Sequence, residues 1–318
     1  PHYKAPLKKL QGRGYASGFW FNAGGESSAQ VNITEDGNVV VTTGHPDIGG
    51  SRASIANITA ELLGIDVNRV SVLIGDTATI GFSNLTGGSR VLFASALVVT
   101  ESTNQVIDIL KDRASKIWNI DKEAIEWENG EARPAGDNAG KFKPLSLVEL
   151  AEQATPTGGP IGAGHQVNTV GAEGGFATHI CDVEVDIELG IARVIRYTAA
   201  QDVGKAIHPA YVEGQLQGGV VQGIGWALNE EYIYNKEGKL DNPGFLDYRI
   251  PVCSDLPMID TILVEVPNPQ HPQGVRGVGE VPIVPPLSAI ANAIYNAIGT
   301  RFYSLPMSPP KVLEKISD

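Results

Sequence analysis

The hydrophobic pattern of the first part of the chain predicts a β-hairpin. Apolar residues alternate with polar ones at Ala29, Val31 and Ile33, which is the two-residue period of a half-buried strand. Asp36-Gly37 favours a tight turn, and the apolar run Val39–Thr43 follows it. Two antiparallel strands joined at this turn are therefore expected.

Helical periodicity appears twice after this hairpin. Ile55, Ile58 and Leu62 share one helical face, and Gly64 is the predicted end of that helix. A longer apolar helix is predicted from the loop at residue 90 to about Trp118.

Shorter elements lie around the second helix. Residues 70–74 are typical of a strand, and 123–145 predict short strands and turns. Ser146 and Glu149 have the spacing of a capping box, which predicts a short helix after them.

The second half of the chain begins with another predicted hairpin. Strands at 180–187 and 192–199 flank a turn at Gly190, and a glycine-rich helix follows them. A strand at 262–266 and a helix at 287–298 complete the pattern.

Hairpins mixed with long helices predict an α+β fold with mixed sheets rather than a regular βαβ winding. Residues 154–178 are rich in Gly, Thr and Pro, which is typical of a connection between subdomains. The predicted division is an irregular leader at 1–27, a first α+β subdomain with glycine loops at 28–153, the connection at 154–178, and a second α+β subdomain at 179–318.

Charge and hydropathy exclude several classes of partner. The 318 residues carry a formal net charge of −12, whereas nucleic acids and anionic membranes select basic surfaces. The sequence shows no window of the ~18 apolar residues that a membrane helix needs, and no secretory h-region at its start. We therefore expect a cytoplasmic protein that binds neither nucleic acid nor membrane.

The chain has only two cysteines, Cys181 and Cys253. A self-contained iron–sulfur cluster is excluded because it takes about four thiolates. One disulfide is an alternative, but two free thiols are the expected state in a cytoplasmic protein.

Three glycine-rich segments, 49–52, 87–90 and 214–225, are predicted as loops that open helices. Such junctions gather unpaired N–H groups, and glycine permits close approach of a ligand. Each segment alone is also compatible with a simple turn, but three together favour an extended anionic or heteroaromatic ligand. The sequence has no GxxxxGK[ST] loop and no dinucleotide fingerprint, which disfavours ATP and nicotinamide nucleotides.

The segment 274–282, GVRGVGEVP, places Glu280 between a glycine pair and an apolar run. A carboxylate in an apolar surrounding is a candidate general base, because desolvation makes it a stronger proton acceptor. A helix-capping or ion-paired glutamate is the alternative. The six histidines have no metal-ligand spacing, so a metal bound directly by side chains is not expected.

Several motifs of the chain resemble the second molybdopterin-binding domain of the xanthine oxidase family of molybdenum hydroxylases. The resemblance runs in order from about Gly14 to Leu313. It is carried by 75–77 (GDT), 86–89 (TGGS), 201–209 (QDVGKAIHP), 213–225 (EGQLQGGVVQGIG), 277–280 (GVGE) and 305–307 (LPM).

The resemblance implies a molybdenum atom that no side chain ligates, held by the pterin and carrying a sulfido or selenido ligand. It implies that Glu280 is the catalytic base and that Gln215 lies near the metal's oxo ligand. The further cofactor contacts that it implies are Gly49, Gly50, Ser51, Arg52, Gly87, Gly88, Ser89, Gly277 and Gly279.

One departure concerns the loop at 49–51. Many members of the family carry Gly-Gln-Gly where this chain has Gly49-Gly50-Ser51. The glutamine contact is therefore missing, which leaves Ser51 or Arg52 as its replacement. Three aromatic residues of the leader are candidates for the substrate side or, as we favour, for a core or interface: Tyr15, Phe19 and Phe21.

The resemblance also implies partners. Family large subunits usually carry a preceding molybdopterin domain that this sequence lacks, so the sequence is either a fragment or one of two polypeptides between which the enzyme divides that region. Such a division resembles the medium molybdopterin subunit of bacterial nicotinate dehydrogenase. We therefore expect a larger molybdopterin subunit, and iron–sulfur and flavin (FAD) subunits that accept the electrons. The cofactor is expected in its cytosine dinucleotide form.

The expected function is hydroxylation of an electron-poor carbon of an N-heterocycle, with nicotinate favoured. Purine, xanthine or aldehyde oxidation is the alternative within the family. A non-catalytic carrier or assembly module for the cofactor is the alternative of another class.

Overall fold

In a computed structural model the chain forms two four-stranded mixed β-sheets, each with helices packed against one face, and a small three-stranded antiparallel sheet. The structure describes residues 9–317, and only the backbone at positions 172 and 173. The predicted α+β fold with mixed sheets and long helices is confirmed.

Within residues 9–317 the strands are β1 (Lys9–Asn22), β2 (Gly25–Ile33), β3 (Val39–Thr43), β4 (Val70–Ile74), β5 (Ile125–Glu128), β6 (Glu131–Pro134), β7 (Leu145–Ser146), β8 (Ile161–Thr169), β9 (Ala172–Asp186), β10 (Ile191–Asp202) and β11 (Ile259–Val264). The α-helices are α1 (Ser51–Leu63), α2 (Val91–Trp118), α3 (Leu147–Glu152), α4 (Ala154–Thr157), α5 (Pro209–Leu228), α6 (Val284–Ile298) and α7 (Pro309–Ser317).

The first sheet has the strand order β4-β3-β2-β8. The predicted hairpin is present, since β2 and β3 are antiparallel and Gly37 has φ 73°. Val31, Val39 and Val41 are fully buried on the inner face of this sheet, which packs against α1 and α2. Ser146 and Glu149 form the predicted capping box at the start of α3.

The second sheet has the order β1-β9-β10-β11, with β10 and β11 parallel and the other pairs antiparallel. Helices α5 and α6 pack on its inner face, where Val220, Ile224, Ile290 and Ile294 are buried. The predicted hairpin at 180–199 is the β9–β10 pair. Both cysteines are free, as expected, with Cys181 in this core.

The prediction of an irregular leader was wrong for residues 9–27. Residues 9–22 form β1, which pairs with β9 along nearly its whole length, and β2 begins at Gly25. The inner face of β1 consists largely of glycine, because α6 lies directly on it. A Cβ on Gly12 would be 2.2 Å from Ala293 O, and one on Gly14 would be 2.1 Å from Ala289 O. Because glycines occupy these inward-facing positions, β1 does not show the alternation of apolar and polar residues by which a strand is predicted. The leader residues 1–8 lie outside the described part.

The predicted connection at 154–178 is also mostly regular structure. It contains α4, the polar edge strand β8 and the beginning of β9. Its glycines and threonines do not interrupt the secondary structure, because β8 pairs with β2 over nine residues. The division of the chain into two subdomains stays a prediction.

The segment 214–225 lies inside α5 and is not a loop that opens a helix. Two of its glycines allow close packing of α5 on the start of α6. A Cβ on Gly219 would be 2.6 Å from Pro282 Cγ, and one on Gly223 would be 2.4 Å from Pro286 Cβ. Gly218 faces open space.

Residues 281–298 are long and apolar enough to pass as a membrane span by length and composition, so the prediction that the sequence has no such window was wrong. This stretch packs between β1, β9 and α5. Ala289, Ile290 and Ala293 are fully buried there. It therefore has the place of a core helix.

The outer face of the second sheet is open. Phe19, Phe21 and Phe176 are each about half exposed on it, and Phe19 contacts Phe176 with ring centroids 5.1 Å apart. Tyr15 is 71% exposed on the same face. Tyr15, Phe19 and Phe21 are therefore neither core residues nor part of the cavity described below.

Candidate functional site

A cavity of about 320 Å³ lies where α1, α2 and α5 begin, and the loop at 276–280 forms part of its wall. Unpaired N–H groups and the helix dipole make the start of a helix partly positive, so three converging helix starts suit an anionic ligand. The cavity is lined by Ile48, Gly49, Ser51, Ser54, Thr86, Gly87, Ser89, Arg90, Val91, Leu92, His208, Tyr211, Val212, Gln215, Arg276, Gly277, Val278, Gly279 and Glu280.

Glu280 lies half-buried on the cavity wall and is held there by Ser89. Ser89 Oγ donates a hydrogen bond to Glu280 Oε2 at 2.9 Å and accepts one from the Glu280 N–H at 3.0 Å. Within residues 9–317 no hydrogen bond reaches Glu280 Oε1. One carboxylate oxygen is thus anchored, and the other can meet a ligand.

The loop before Glu280 is fixed from two sides. The Gly277 N–H donates to Asn22 Oδ1 at 3.0 Å, and a Cβ on Gly277 would be 2.0 Å from Ser89 O. Arg276 forms an ion pair with Asp202 at 3.2 Å beneath the loop. Position 277 therefore needs glycine, and the loop joins the end of β1 to the start of α2.

Gln215 comes from the second turn of α5 and lies against the loop at Gly49. A Cβ on Gly49 would be 2.7 Å from Gln215 Cδ. A Cβ on Gly279 would be 3.8 Å from Gln215 Oε1 and 3.9 Å from Ser89 Oγ. Gly279 therefore borders both side chains, and the fold brings Gln215, Ser89 and Glu280 together.

Three predicted contact residues do not line the cavity. Arg52 is half exposed and faces Asp47 at 3.9 Å. Gly88 faces β1, where a Cβ would be 2.5 Å from Ala23 Cβ. Gly50 is covered by Tyr211. Of the two predicted replacements for the missing glutamine, only Ser51 is at the cavity.

The structure adds two residues that the sequence reading missed, His208 and Tyr211. His208 directly precedes α5, and its ring stacks on Tyr211 with centroids 4.0 Å apart. The two residues are three positions apart at the start of a helix, and this spacing was the signal by which the sequence could have indicated them.

Arg90 organises the floor of the site. It is 2% exposed and donates hydrogen bonds to Gly24 O at 2.6 Å and to Glu26 O at 2.8 Å. Its guanidinium also reaches Ser27 Oγ, which His45 Nε2 contacts at 2.9 Å. Burial, followed by the charge of Arg90, lowers the pKa of His45 to about 4.

Among the described residues, no group of three or more His, Cys, Asp or Glu side chains is arranged to hold a metal ion. The cavity instead offers hydroxyl groups, an amide and glycine surfaces. This set of groups fits an anionic cofactor that brings its own metal, because glycines let a planar ligand approach the backbone closely.

Comparison with known proteins agrees with this geometry. Residues 4–257 match the family described as molybdopterin cofactor-binding domain. The putative xanthine dehydrogenase molybdenum-binding subunit of Escherichia coli (strain K12) is 30% identical over 95% of this chain and 41% of its own length. The nicotine 6-hydroxylase large subunit of Paenarthrobacter nicotinovorans is 29% identical over 90% of this chain and 36% of its length.

Among solved structures, quinoline 2-oxidoreductase from Pseudomonas putida 86 superimposes with a TM-score of 0.86 at 26% identity. The match covers 98% of this chain and 42% of that one. The chain thus spans about two fifths of the length of these relatives. Its fold, its glycine-lined cavity and its sequence together assign the chain to the molybdopterin cofactor-binding domain family, of the xanthine oxidase type.

Proposed function

We propose that this chain holds molybdopterin in the cavity and supplies Glu280 as the general base of a molybdenum hydroxylase. The observation that carries the proposal is a carboxylate with one anchored and one free oxygen on the wall of a cavity built from helix starts. A positioned carboxylate of this kind contributes about 10²- to 10⁴-fold to a proton-transfer step.

The residues around Glu280 have separate roles in this proposal. Glu280 Oε1 accepts a proton, while Ser89 keeps Oε2 in place through the reaction. The Gln215 amide, which lies against Gly49, would provide a neutral hydrogen-bonding group to the bound cofactor. When bound, the molybdopterin supplies the centre that accepts the two electrons of the oxidised substrate.

We infer an electron-poor carbon of an N-heterocycle as the position hydroxylated, with nicotinate as the favoured substrate. Two relatives named for oxidation of N-heterocycles, nicotine 6-hydroxylase and quinoline 2-oxidoreductase, support the class. The cytosine dinucleotide tail and a sulfido or selenido ligand on the metal belong to the same proposal.

The partners are likewise proposed. A larger molybdopterin subunit, or its equivalent in a longer chain, would cover the open aromatic face of the second sheet around Phe19 and Phe176. The length that the relatives carry beyond this match supports that occupant. Electrons would pass to iron–sulfur and FAD-containing subunits, since two separate cysteines leave this chain without ligands for a cluster. The complex is proposed to be cytoplasmic.

The test is the complex purified with wild-type chain, with Glu280→Gln, and with Glu126→Gln as a matched control at an exposed position of β5. We expect Glu280→Gln to keep its molybdenum and pterin content and to lose about 10²- to 10⁴-fold in turnover. Glu126→Gln should behave like wild type.

Near-wild-type turnover of Glu280→Gln would place the base elsewhere. Hydroxylase activity of a complex that lacks this chain would favour the alternative function, in which the chain is a non-catalytic carrier of the cofactor. We expect the partner to supply part of the cavity wall, so the isolated chain should not hold molybdenum stoichiometrically. Stoichiometric molybdenum on the isolated chain would contradict this expectation.

A further inference from the structure

We propose that His208 contacts an anionic oxygen of the bound cofactor, and that Tyr211 positions the imidazole for this contact. The proposal rests on the proposed function, since it assigns two further residues to the same cavity. Both residues line that cavity at the start of α5. Neither takes part in the Ser89–Glu280 pair.

Tyr211 is fixed from two sides. Its ring stacks on His208 with an angle of 23° between the ring planes. It also lies directly on the backbone of Gly50, where a Cβ would be 2.4 Å from Tyr211 Cδ2. The absence of a side chain at position 50 therefore makes room for the Tyr211 ring, which in turn supports the imidazole.

The two nitrogens of His208 have different surroundings. Nδ1 is enclosed by the protein and has no hydrogen-bond partner among the described residues. An enclosed N–H without an acceptor costs about 1–3 kcal/mol, so we assign the ring proton to Nε2 rather than to Nδ1. Nε2 is then the ring nitrogen left to donate to a ligand.

The position of His208 determines what it would bind. It precedes Pro209, the first residue of a 20-residue helix, so its imidazole lies beside the positive end of the α5 dipole. An N–H donor at this point suits an oxygen that carries negative charge. The cofactor's phosphate group has such oxygens.

The test compares the purified complex with the variants His208→Ala, His208→Gln, Tyr211→Phe and Tyr211→Ala. His208→Gln keeps an N–H donor, and Tyr211→Phe keeps the ring. His165→Ala on β8 and Tyr303→Ala, which is 94% exposed, are controls for each residue type. Molybdenum and pterin per complex are followed during dialysis, and turnover is divided by bound molybdenum.

We expect His208→Ala and Tyr211→Ala to lose cofactor about tenfold faster than wild type, as loss of a hydrogen bond to a charged group implies. His208→Gln, Tyr211→Phe and both controls should stay within about twofold of wild type. Turnover per bound molybdenum should not change in the two controls, His165→Ala and Tyr303→Ala. Should Tyr211→Ala fail to assemble, the two His208 variants decide.

Wild-type cofactor retention in His208→Ala would overturn the proposal. A higher KM for a carboxylated substrate alone, with retention unchanged, would also overturn it by moving the contact from cofactor to substrate. If the wild-type complex contained no molybdopterin, the proposed function itself would fail, and this inference with it.

Discussion

Ser89 and Glu280 are 191 residues apart in the chain and hold each other through two hydrogen bonds. One hydroxyl serves as donor to the carboxylate and as acceptor for the N–H of the same residue. Ser89 has φ 53°, so its hydroxyl position depends on the left-handed turn before α2. The candidate base is therefore placed by the first half of the chain, although it belongs to the second.

Replacing Ser89 with alanine should release the carboxylate without removing it. We expect turnover to fall about tenfold, which corresponds to the loss of one hydrogen bond to a charged group. Cofactor content should stay near wild type. Steady-state kinetics and metal analysis of Ser89→Ala measure both, with Ser17→Ala on β1 as the control, and unchanged turnover would mean that Glu280 needs no anchor.

The close contact between α5 and the start of α6 predicts opposite effects of alanine at neighbouring positions. Gly219→Ala should lower the free energy of unfolding by about 1–3 kcal/mol, because its Cβ would overlap Pro282. Gly218→Ala should raise it by up to about 1 kcal/mol, because alanine favours a helix and space is open there. Denaturant unfolding of the two variants measures the difference, and equal effects would refute the observed packing.

The contact of Tyr211 with Gly50 predicts a local effect on the cavity. Gly50→Ala should displace the Tyr211 ring and speed cofactor loss, since its Cβ would be 2.4 Å from Tyr211 Cδ2. Gly238→Ala is the matched control, because Gly238 has φ 76° against 78° for Gly50 but nothing within 4 Å of a Cβ. Cofactor retention should separate the two, and an equal loss would assign the effect to backbone strain alone.

Two buried histidines predict that stability falls in acid. Burial lowers the pKa of His179 to about 4, and burial with the charge of Arg90 lowers that of His45 to about 4. Between pH 6.5 and about 4 the unfolded chain binds more protons than the native one, so the free energy of unfolding decreases as pH falls. Each histidine contributes up to about 3 kcal/mol over that range.

This dependence is measured by unfolding at several pH values. His179→Gln should flatten the slope between pH 6.5 and 4, whereas His165→Gln on β8 should leave it as in wild type. A slope that does not change in His179→Gln would mean that other groups cause the acid sensitivity.

Much of the local structure follows from the sequence. The β2–β3 and β9–β10 hairpins, α1, α2 and the capping box at Ser146 agree with prediction. These elements depend on contacts between near neighbours, on turn residues such as Gly37, and on periods that apolar residues make visible. The strand β1 was missed for the converse reason, since its buried positions are glycines that a helix distant in sequence requires.

The sequence by itself determined the family, the α+β class and the identity of Glu280 as the candidate base, because motifs and periods are local. Only the tertiary structure decided which glycines face the cavity, that Ser89 anchors Glu280, and that His208 and Tyr211 stand beside them. The physical reason is that a side chain's surroundings depend on strands and helices far along the chain. Gly50 and Tyr211 illustrate this dependence, since the Tyr211 ring occupies the space that a side chain at position 50 would need.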